Sequence, residues 1–105
     1  MKSIILDDVI IELGENAREN WSLLDNSIGD WVWMHLNSFP SGHISIHTST
    51  PSQDMIQQAK KMCLSGTKYR NMRDVKFCMT SFSNLTKGDK MGEVRFKRPR
   101  KVIIV

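Results

Sequence analysis

All three histidines and two of the three tryptophans lie within residues 30–48. An imidazole can exchange protons near neutral pH, bind a metal or form hydrogen bonds, and an indole ring can stack on a flat ligand. Three kinds of chemistry are therefore worth testing against this stretch: acid and base catalysis, metal binding, and contact with nucleic-acid bases.

The alternation of side chains in this stretch predicts a β-hairpin. Residues 31–36 and 43–48 alternate with period two, and the six residues between them are mostly turn formers. One face of the hairpin would be aliphatic, and the other would be aromatic, imidazole and hydroxyl. Antiparallel pairing that is symmetric about the turn would place opposite side chains roughly 5 Å apart. The predicted pairs are Trp31 with His47, Trp33 with Ser45, and His35 with His43.

This geometry argues against a metal site. His43 and His47 are four strand residues apart, roughly 13 Å at about 3.3 Å per residue, which is too far for one ion. His35 and His43 could reach one ion, but the sequence places no cysteine or carboxylate beside them to complete a tetrahedron. We predict no metal and no cofactor. No nucleophile motif is present, so no catalytic residue is assigned, and acid and base catalysis by His35 and His43 stays an alternative.

Trp33, His35 and His43 are candidates for base contact, because aromatic rings on a sheet face can form a platform on which bases stack. A purely structural role is the alternative. One or both tryptophans would then pack under the N-terminal helix as a second small core. His35 would donate a hydrogen bond to a carbonyl of the loop from residue 39 to residue 42.

The rest of the chain predicts an α+β fold in a single domain, residues 1–105. We expect a mostly antiparallel sheet of about five strands, one long helix packed on its aliphatic face, and a short N-terminal helix capped by Asn16. The long helix should begin at a hydroxyl cap with Pro51 in its first turn and end near residue 65 or 66. Other predicted strands are 9–13, 75–82, 93–96 and 101–105. Residues 4–6 form a further apolar run, residues 67–74 should form a basic loop, and residues 83–92 should form a turn-rich loop.

Two further features bear on the cellular environment. Cys63 and Cys78 lack redox or metal spacing, which favours two buried free thiols, with a disulfide as the alternative. No apolar run approaches the roughly 20 residues of a membrane span, and the N-terminus lacks the layout of a signal peptide. We expect a cytoplasmic protein without membrane insertion.

Charge is distributed unevenly along the chain. Residues 1–36 carry two basic and seven acidic side chains, and residues 60–101 carry thirteen basic and three acidic ones. A basic half with a sequence pI near 9.3 indicates a polyanionic partner, and nucleic acid is the commonest. A merely solvated surface is the alternative. The candidate phosphate-binding residues are Lys68, Arg70, Arg73, Lys87, Lys90, Lys97, Arg98, Arg100 and Lys101.

Four stretches, in order, resemble the NFACT-type RNA-binding domain, NFACT-R. Gly14–Asn20 resembles its opening motif, Trp33–His35 its Trp-Phe-His, and Pro40–Ile44 its Pro-Gly-Ser-His-Val. Ser83–Leu85, Lys87, Met91–Val94 and the basic segment before Val102–Val105 resemble its last strands. This chain departs from the family by having Trp31 where an acidic residue is usual, and by the reversed order of Ser41 and Gly42.

The resemblance implies an α+β domain that binds structured RNA, either tRNA or rRNA, in translation or ribosome-associated quality control. The ribosome would be a partner, and DNA an alternative ligand. The chain looks like a stand-alone copy, similar to the first domain of eukaryotic coiled-coil-containing members. A small RNA-modifying enzyme using His35 and His43, or a protein-docking module, are the alternative functions.

Overall fold

The central hairpin forms with the register predicted by the sequence. The computed structural model describes residues 1–105, and in it β3 (Val32–Leu36) pairs antiparallel with β4 (His43–Ile46). Trp33 lies opposite Ser45, and the same alignment brings His35 beside His43 and Trp31 beside His47. The period-two alternation of both arms explains this register, since a slip by one residue would turn every aliphatic side chain away from the core.

The other strands are β1 (Lys2–Leu6), β2 (Val9–Gly14), β5 (Lys76–Ser81), β6 (Leu85–Lys87), β7 (Val94–Phe96) and β8 (Lys101–Ile104), and the helices are α1 (Ala17–Asn26) and α2 (Gln53–Leu64). Four more pairings extend the central hairpin into one antiparallel sheet of six strands, in the order β1-β2-β4-β3-β5-β8. A second sheet contains only β6 and β7.

The predicted fold class, a small α+β domain with a mostly antiparallel sheet, is confirmed, but the strand count was too low. The run before Asp7 folds back on β2 because Asp7 and Asp8 both adopt left-handed backbone conformations, with φ of 50° and 63°. That pair of conformations makes a two-residue hairpin turn. The segment predicted as a loop after residue 83 contains a short 3₁₀ turn and then β6, which pairs with β7.

The helices also differ in detail from the prediction. Asn16 caps α1 as expected, its side chain accepting a hydrogen bond from the Glu19 amide at 2.9 Å. The cap of α2 is Ser52, whose hydroxyl accepts from the Met55 amide at 3.2 Å, so Pro51 lies before the helix and not in its first turn. With 12 residues in α2 and 10 in α1, the expected contrast of one long and one short helix is not found.

The sheet separates two cores. Its aliphatic face, with Met34, Ile44 and Ile46 fully buried, packs against α2. The other face forms a smaller cluster around Trp33 and Leu23, under α1 and the β6–β7 hairpin, together with Cys78, Phe82 and Leu85. Both cysteines are buried free thiols, Cys63 in the first cluster and Cys78 in the second, as the sequence favoured. Neither helix is long and apolar enough to cross a membrane.

Candidate nucleic-acid interface

A cavity of about 480 Å³ lies on the polar face of the central sheet. Its floor includes Trp33, His35 and His43, the three residues that the sequence indicated for base contact. Part of its wall comes from β7, through Val94 and Phe96. The cavity opens to solvent at the loop after β3, where Ser38, Phe39 and Pro40 line the rim and are exposed.

Three adjacent strands bring chemically active side chains to one level of this floor. His35 on β3 is the cross-strand partner of Cys78 on β5, and its ring lies 5.0 Å from that of His43 on β4, edge to face. The Trp33 ring is nearly parallel to His35 at 5.8 Å and perpendicular to His43 at 5.3 Å. The alternation of β5 places Cys78 on this face, although the sequence gave no reason to associate it with the histidines.

Trp33 does not form an open stacking platform. It is 2% exposed and packs with Leu23 of α1, which confirms the structural alternative of a second small core under the N-terminal helix. Trp31 is half-buried, and its ring stacks on His47 at 3.9 Å. Any ligand of this face must therefore enter the cavity instead of lying flat across the sheet.

Burial keeps both floor histidines neutral. Desolvation, together with a smaller effect of the nearby His35 ring, lowers the pKa of His43 from 6.5 to about 3. Desolvation also lowers the pKa of His35, although backbone hydrogen-bonding groups of Leu36 and Ser41 partly offset this effect.

The histidine that pairs with a carboxylate is His47, which does not line the cavity. His47 Nε2 lies 2.6 Å from Glu12 Oε1, whereas no side chain forms a hydrogen bond with the imidazole ring of His35 or His43. Acid and base catalysis usually depends on a base that a third group orients, and the cavity histidines lack such a group. No group of three or more His, Cys, Asp or Glu side chains is placed to hold a metal ion.

Two stretches singled out in the sequence, first Gly14–Asn20 and then Pro40–Ile44, meet at the backbone of His43. Asn20 Oδ1, from the first, accepts a hydrogen bond from the His43 amide at 3.2 Å. A Cβ atom at Gly14 would collide with that same Asn20 oxygen, and a Cβ at Gly42 would collide with the Gly14 carbonyl oxygen. The two glycines therefore permit a close approach of backbone that fixes where His43 enters the cavity wall.

Arg100 is the one predicted phosphate-binding residue that lines the cavity. Its Nε donates to Cys78 Sγ at 3.2 Å, and its guanidinium lies 5.0 Å from the centre of the Phe96 ring. The Cys78 thiol in turn donates to Asn37 Oδ1 at 2.9 Å. Sequence reasoning did not associate Phe96, Asn37 or Cys78 with the site, because residues far apart in the chain come together only through the strand order.

The loop with Lys68, Arg70 and Arg73 lies beside the cavity rim. Tyr69 in this loop packs on Phe39 of the rim, with ring centres 4.7 Å apart. All three basic residues are exposed, and the Lys68 ammonium lies 5.4 Å from the centre of the Tyr69 ring. This loop therefore adds positive charge near the mouth of the cavity.

The other predicted phosphate-binding residues lie in several separate regions of the surface. Lys87 is paired with Asp25 of α1 at 2.9 Å, and Lys90 is exposed in the turn between β6 and β7. Lys97 and Arg98 are exposed in the segment after β7, whose backbone is held by buried Asn84. Lys101 lines a pocket beside α2 on the opposite face of the sheet, so it does not share the cavity rim.

Among solved structures, the following is similar over almost the whole chain. It is the C-terminal part of the fibronectin/fibrinogen-binding protein from Streptococcus suis, with a TM-score of 0.83 and 26% sequence identity. The match covers 98% of this chain and 43% of that one, so this chain spans less than half the length of its structural relative. No family model matches the sequence, and no curated protein matches it.

Proposed function

We propose that this chain is a cytoplasmic RNA-binding module of the NFACT-R type, acting on structured RNA such as tRNA or rRNA in translation or ribosome-associated quality control. The observation that carries the proposal is the arrangement of cations. All nine predicted phosphate-binding side chains are exposed, and only Lys87 among them forms an ion pair with a carboxylate. The remaining eight are available to a polyanion.

The charge distribution supports a nucleic-acid partner more than a simply solvated surface. Surface lysines and arginines of soluble domains are usually interspersed with carboxylates. Here residues 60–101 have thirteen basic and three acidic side chains, and two of those acidic residues, Asp89 and Glu93, lie beside Arg95 at 2.6 Å and 3.9 Å. Little negative charge remains in this half of the chain to oppose phosphate binding.

The first test is the salt dependence of RNA affinity. Each phosphate that a lysine or arginine neutralises adds about 0.7 to 0.9 to the slope of log affinity against log salt concentration. We expect the affinity for tRNA or an rRNA fragment to fall steeply between about 50 and 200 mM salt. An affinity that is unchanged over this range would refute binding through the basic residues.

A matched pair of variants locates the contacts. Replacing Arg70 and Arg73 by Gln should lower RNA affinity and reduce the salt slope by roughly 2. Replacing Lys2 and Lys61, two exposed lysines elsewhere, by Gln removes the same charge and should leave the slope nearly unchanged. Equal effects of the two pairs would show that only net charge matters.

A larger variant tests the whole group. Replacing Arg70, Arg73, Arg98 and Arg100 together by neutral residues should abolish RNA binding while the thermal unfolding transition is retained. Circular dichroism before and after heating provides the folding control. Unchanged RNA affinity in a folded variant would contradict the proposal.

A protein-docking role is the second candidate, because the similar structure belongs to a protein named for binding fibronectin and fibrinogen. Immobilised fibronectin, fibrinogen and tRNA can be compared in one binding assay at physiological salt. Binding to either protein but not to tRNA would favour docking.

Mapping altered nucleotides after incubation with total RNA tests the third candidate, an RNA-modifying enzyme that depends on His35 and His43.

A further inference from the structure

Two buried polar atoms belong to residues of the cavity floor and have no hydrogen-bond partner. They are the indole Nε1 of Trp33 and the ring Nδ1 of His43. Trp33 is 2% exposed and His43 is 6% exposed, so both residues are almost fully shielded from bulk solvent. A buried polar atom without a partner costs roughly 1 to 3 kcal/mol. Such groups are rare in native structures, and a ligand that supplies the missing partners would recover this cost.

The remaining lining has the properties of a site for a flat heterocycle with an attached anion. Phe96 and Trp33 lie edge to face with ring centres 5.6 Å apart, and they provide aromatic walls. Arg100 adds a cation that has no carboxylate partner and whose Nε is held on Cys78. A volume of about 480 Å³ falls within the roughly 300 to 1,000 Å³ of small-molecule sites.

We propose that this cavity holds a single unpaired nucleobase, with the adjacent phosphate bound by Arg100; this inference rests on the proposed RNA binding. The base would enter past the exposed rim at Phe39 and lie against the aromatic wall. Its polar edge would face Trp33 and His43, with the indole as donor. The same chemistry is present in a base extruded from an RNA loop and in a free mononucleotide.

The neutral state of the floor favours a base over a charged ligand. Neither histidine carries a positive charge at neutral pH, so neither would attract an anion into the interior. Positive charge at the cavity is confined to Arg100, while Glu93 contributes a carboxylate to the lining. A ligand with an uncharged, hydrogen-bonding ring and one phosphate matches this division. A purely anionic or purely aliphatic ligand leaves half of the lining without a counterpart.

The indole N–H of Trp33 reports directly on the cavity. The chain has three tryptophans, so a ¹H,¹⁵N correlation spectrum should show three indole signals, and Trp33→Phe identifies the one that matters. We expect AMP, CMP, GMP or UMP to shift the Trp33 signal more than that of Trp31. Ribose 5-phosphate, which has no base, should leave the Trp33 signal in place. No shift with any of the four mononucleotides would overturn the inference.

Two exposed cations supply a matched pair of variants. Arg100→Gln should weaken mononucleotide affinity by roughly tenfold, because a charge-assisted contact to phosphate is lost. Lys61→Gln removes the same charge from α2, on the opposite face of the sheet, and should change mononucleotide affinity by less than about twofold. Both variants retain the Trp33 signal, which also serves as the check on folding. Equal effects of the two variants would overturn the assignment of the phosphate to Arg100.

RNA oligonucleotides separate this inference from the proposed function. A hairpin with an unpaired loop should shift the Trp33 signal, whereas a fully paired duplex should bind the basic loops without shifting it. Salt-dependent binding of both RNAs with an unshifted Trp33 signal would overturn the base site and leave the RNA-binding proposal in place. A shift with mononucleotides but no affinity for either RNA would overturn the RNA-binding proposal and assign the cavity to free nucleotides.

Discussion

Mild acid should destabilise this domain through the histidines on the cavity floor. In the folded protein burial lowers the pKa of His43 to about 3, whereas an unfolded histidine has a pKa near 6.5. The unfolded chain therefore binds a proton that the folded chain excludes. Stability is complete above pH 6.5 and is lost as the pH falls from 6.5 toward 3. Lowering of the pKa of His35 acts in the same direction.

The size of the effect follows from the two pKa values of His43. Each pH unit between 6.5 and about 3 corresponds to about 1.4 kcal/mol, so complete protonation would cost on the order of 5 kcal/mol. Between pH 7.5 and pH 5 the loss from this one group should be about 2 kcal/mol. Small domains are stable by only about 5 to 15 kcal/mol, so the loss is large enough to measure. Ordinary carboxylate pKa values of about 4 lie below this pH range, so we expect histidine protonation to dominate the change.

Urea unfolding at a series of pH values between 7.5 and 5 would measure how the free energy of unfolding changes with pH. In His43→Asn most of this pH dependence should be absent, even if that variant is less stable at every pH. A titration of the imidazole signals supplies a second readout that does not depend on a variant, and His43 should show no transition above about pH 4. A His43 transition near pH 6, or a flat stability profile in the unmodified protein, would refute the assignment of a desolvated neutral imidazole.

Two substitutions test the packing that positions the cavity. Gly42→Ala should lower the free energy of unfolding by roughly 1 to 3 kcal/mol, because its Cβ would collide with backbone, whereas Gly66→Ala, with nothing within 4 Å, should be nearly neutral in the same thermal assay. Asn84→Ala should cost roughly 2 to 4 kcal/mol, because this buried amide bonds both the N–H and the carbonyl of Arg98. Urea unfolding measures that loss, and a loss below about 0.5 kcal/mol would contradict this role of Asn84.

The local elements could be predicted because their signals are local. The period-two alternation of residues 31–36 and 43–48 determined which face meets α2, and the symmetric loop determined that Trp33 lies opposite Ser45. The cap at Asn16 was readable for the same reason, since a cap depends on residues within one turn. The sequence could not identify the cap of α2, because Thr50 and Ser52 both carry the required hydroxyl and only the backbone conformation distinguishes them.

The cavity could not be predicted because non-local pairings build it. Cys78 faces His35 only because β5 pairs with β3, and no sequence pattern specifies which strands become neighbours. Phe96 reaches the same cavity because the β6–β7 hairpin folds over the polar face, and three-residue strands give almost no periodic signal. Whether the basic residues share one surface is also a matter of topology. Arg100 and Lys101 are adjacent in sequence yet lie on opposite faces of the sheet.

The separation of charge from the cavity floor has a consequence for recognition. Phosphate contacts attract any nucleic acid and carry no sequence information, so the exposed loop around Arg70 and Arg73 can contribute affinity but little discrimination. Discrimination needs groups that contact a base edge, and in the proposed base site the unpartnered atoms of Trp33 and His43 would supply such contacts. Because Arg100 both lines the cavity and is exposed, it is the residue through which binding of the backbone would be coupled to entry of a base.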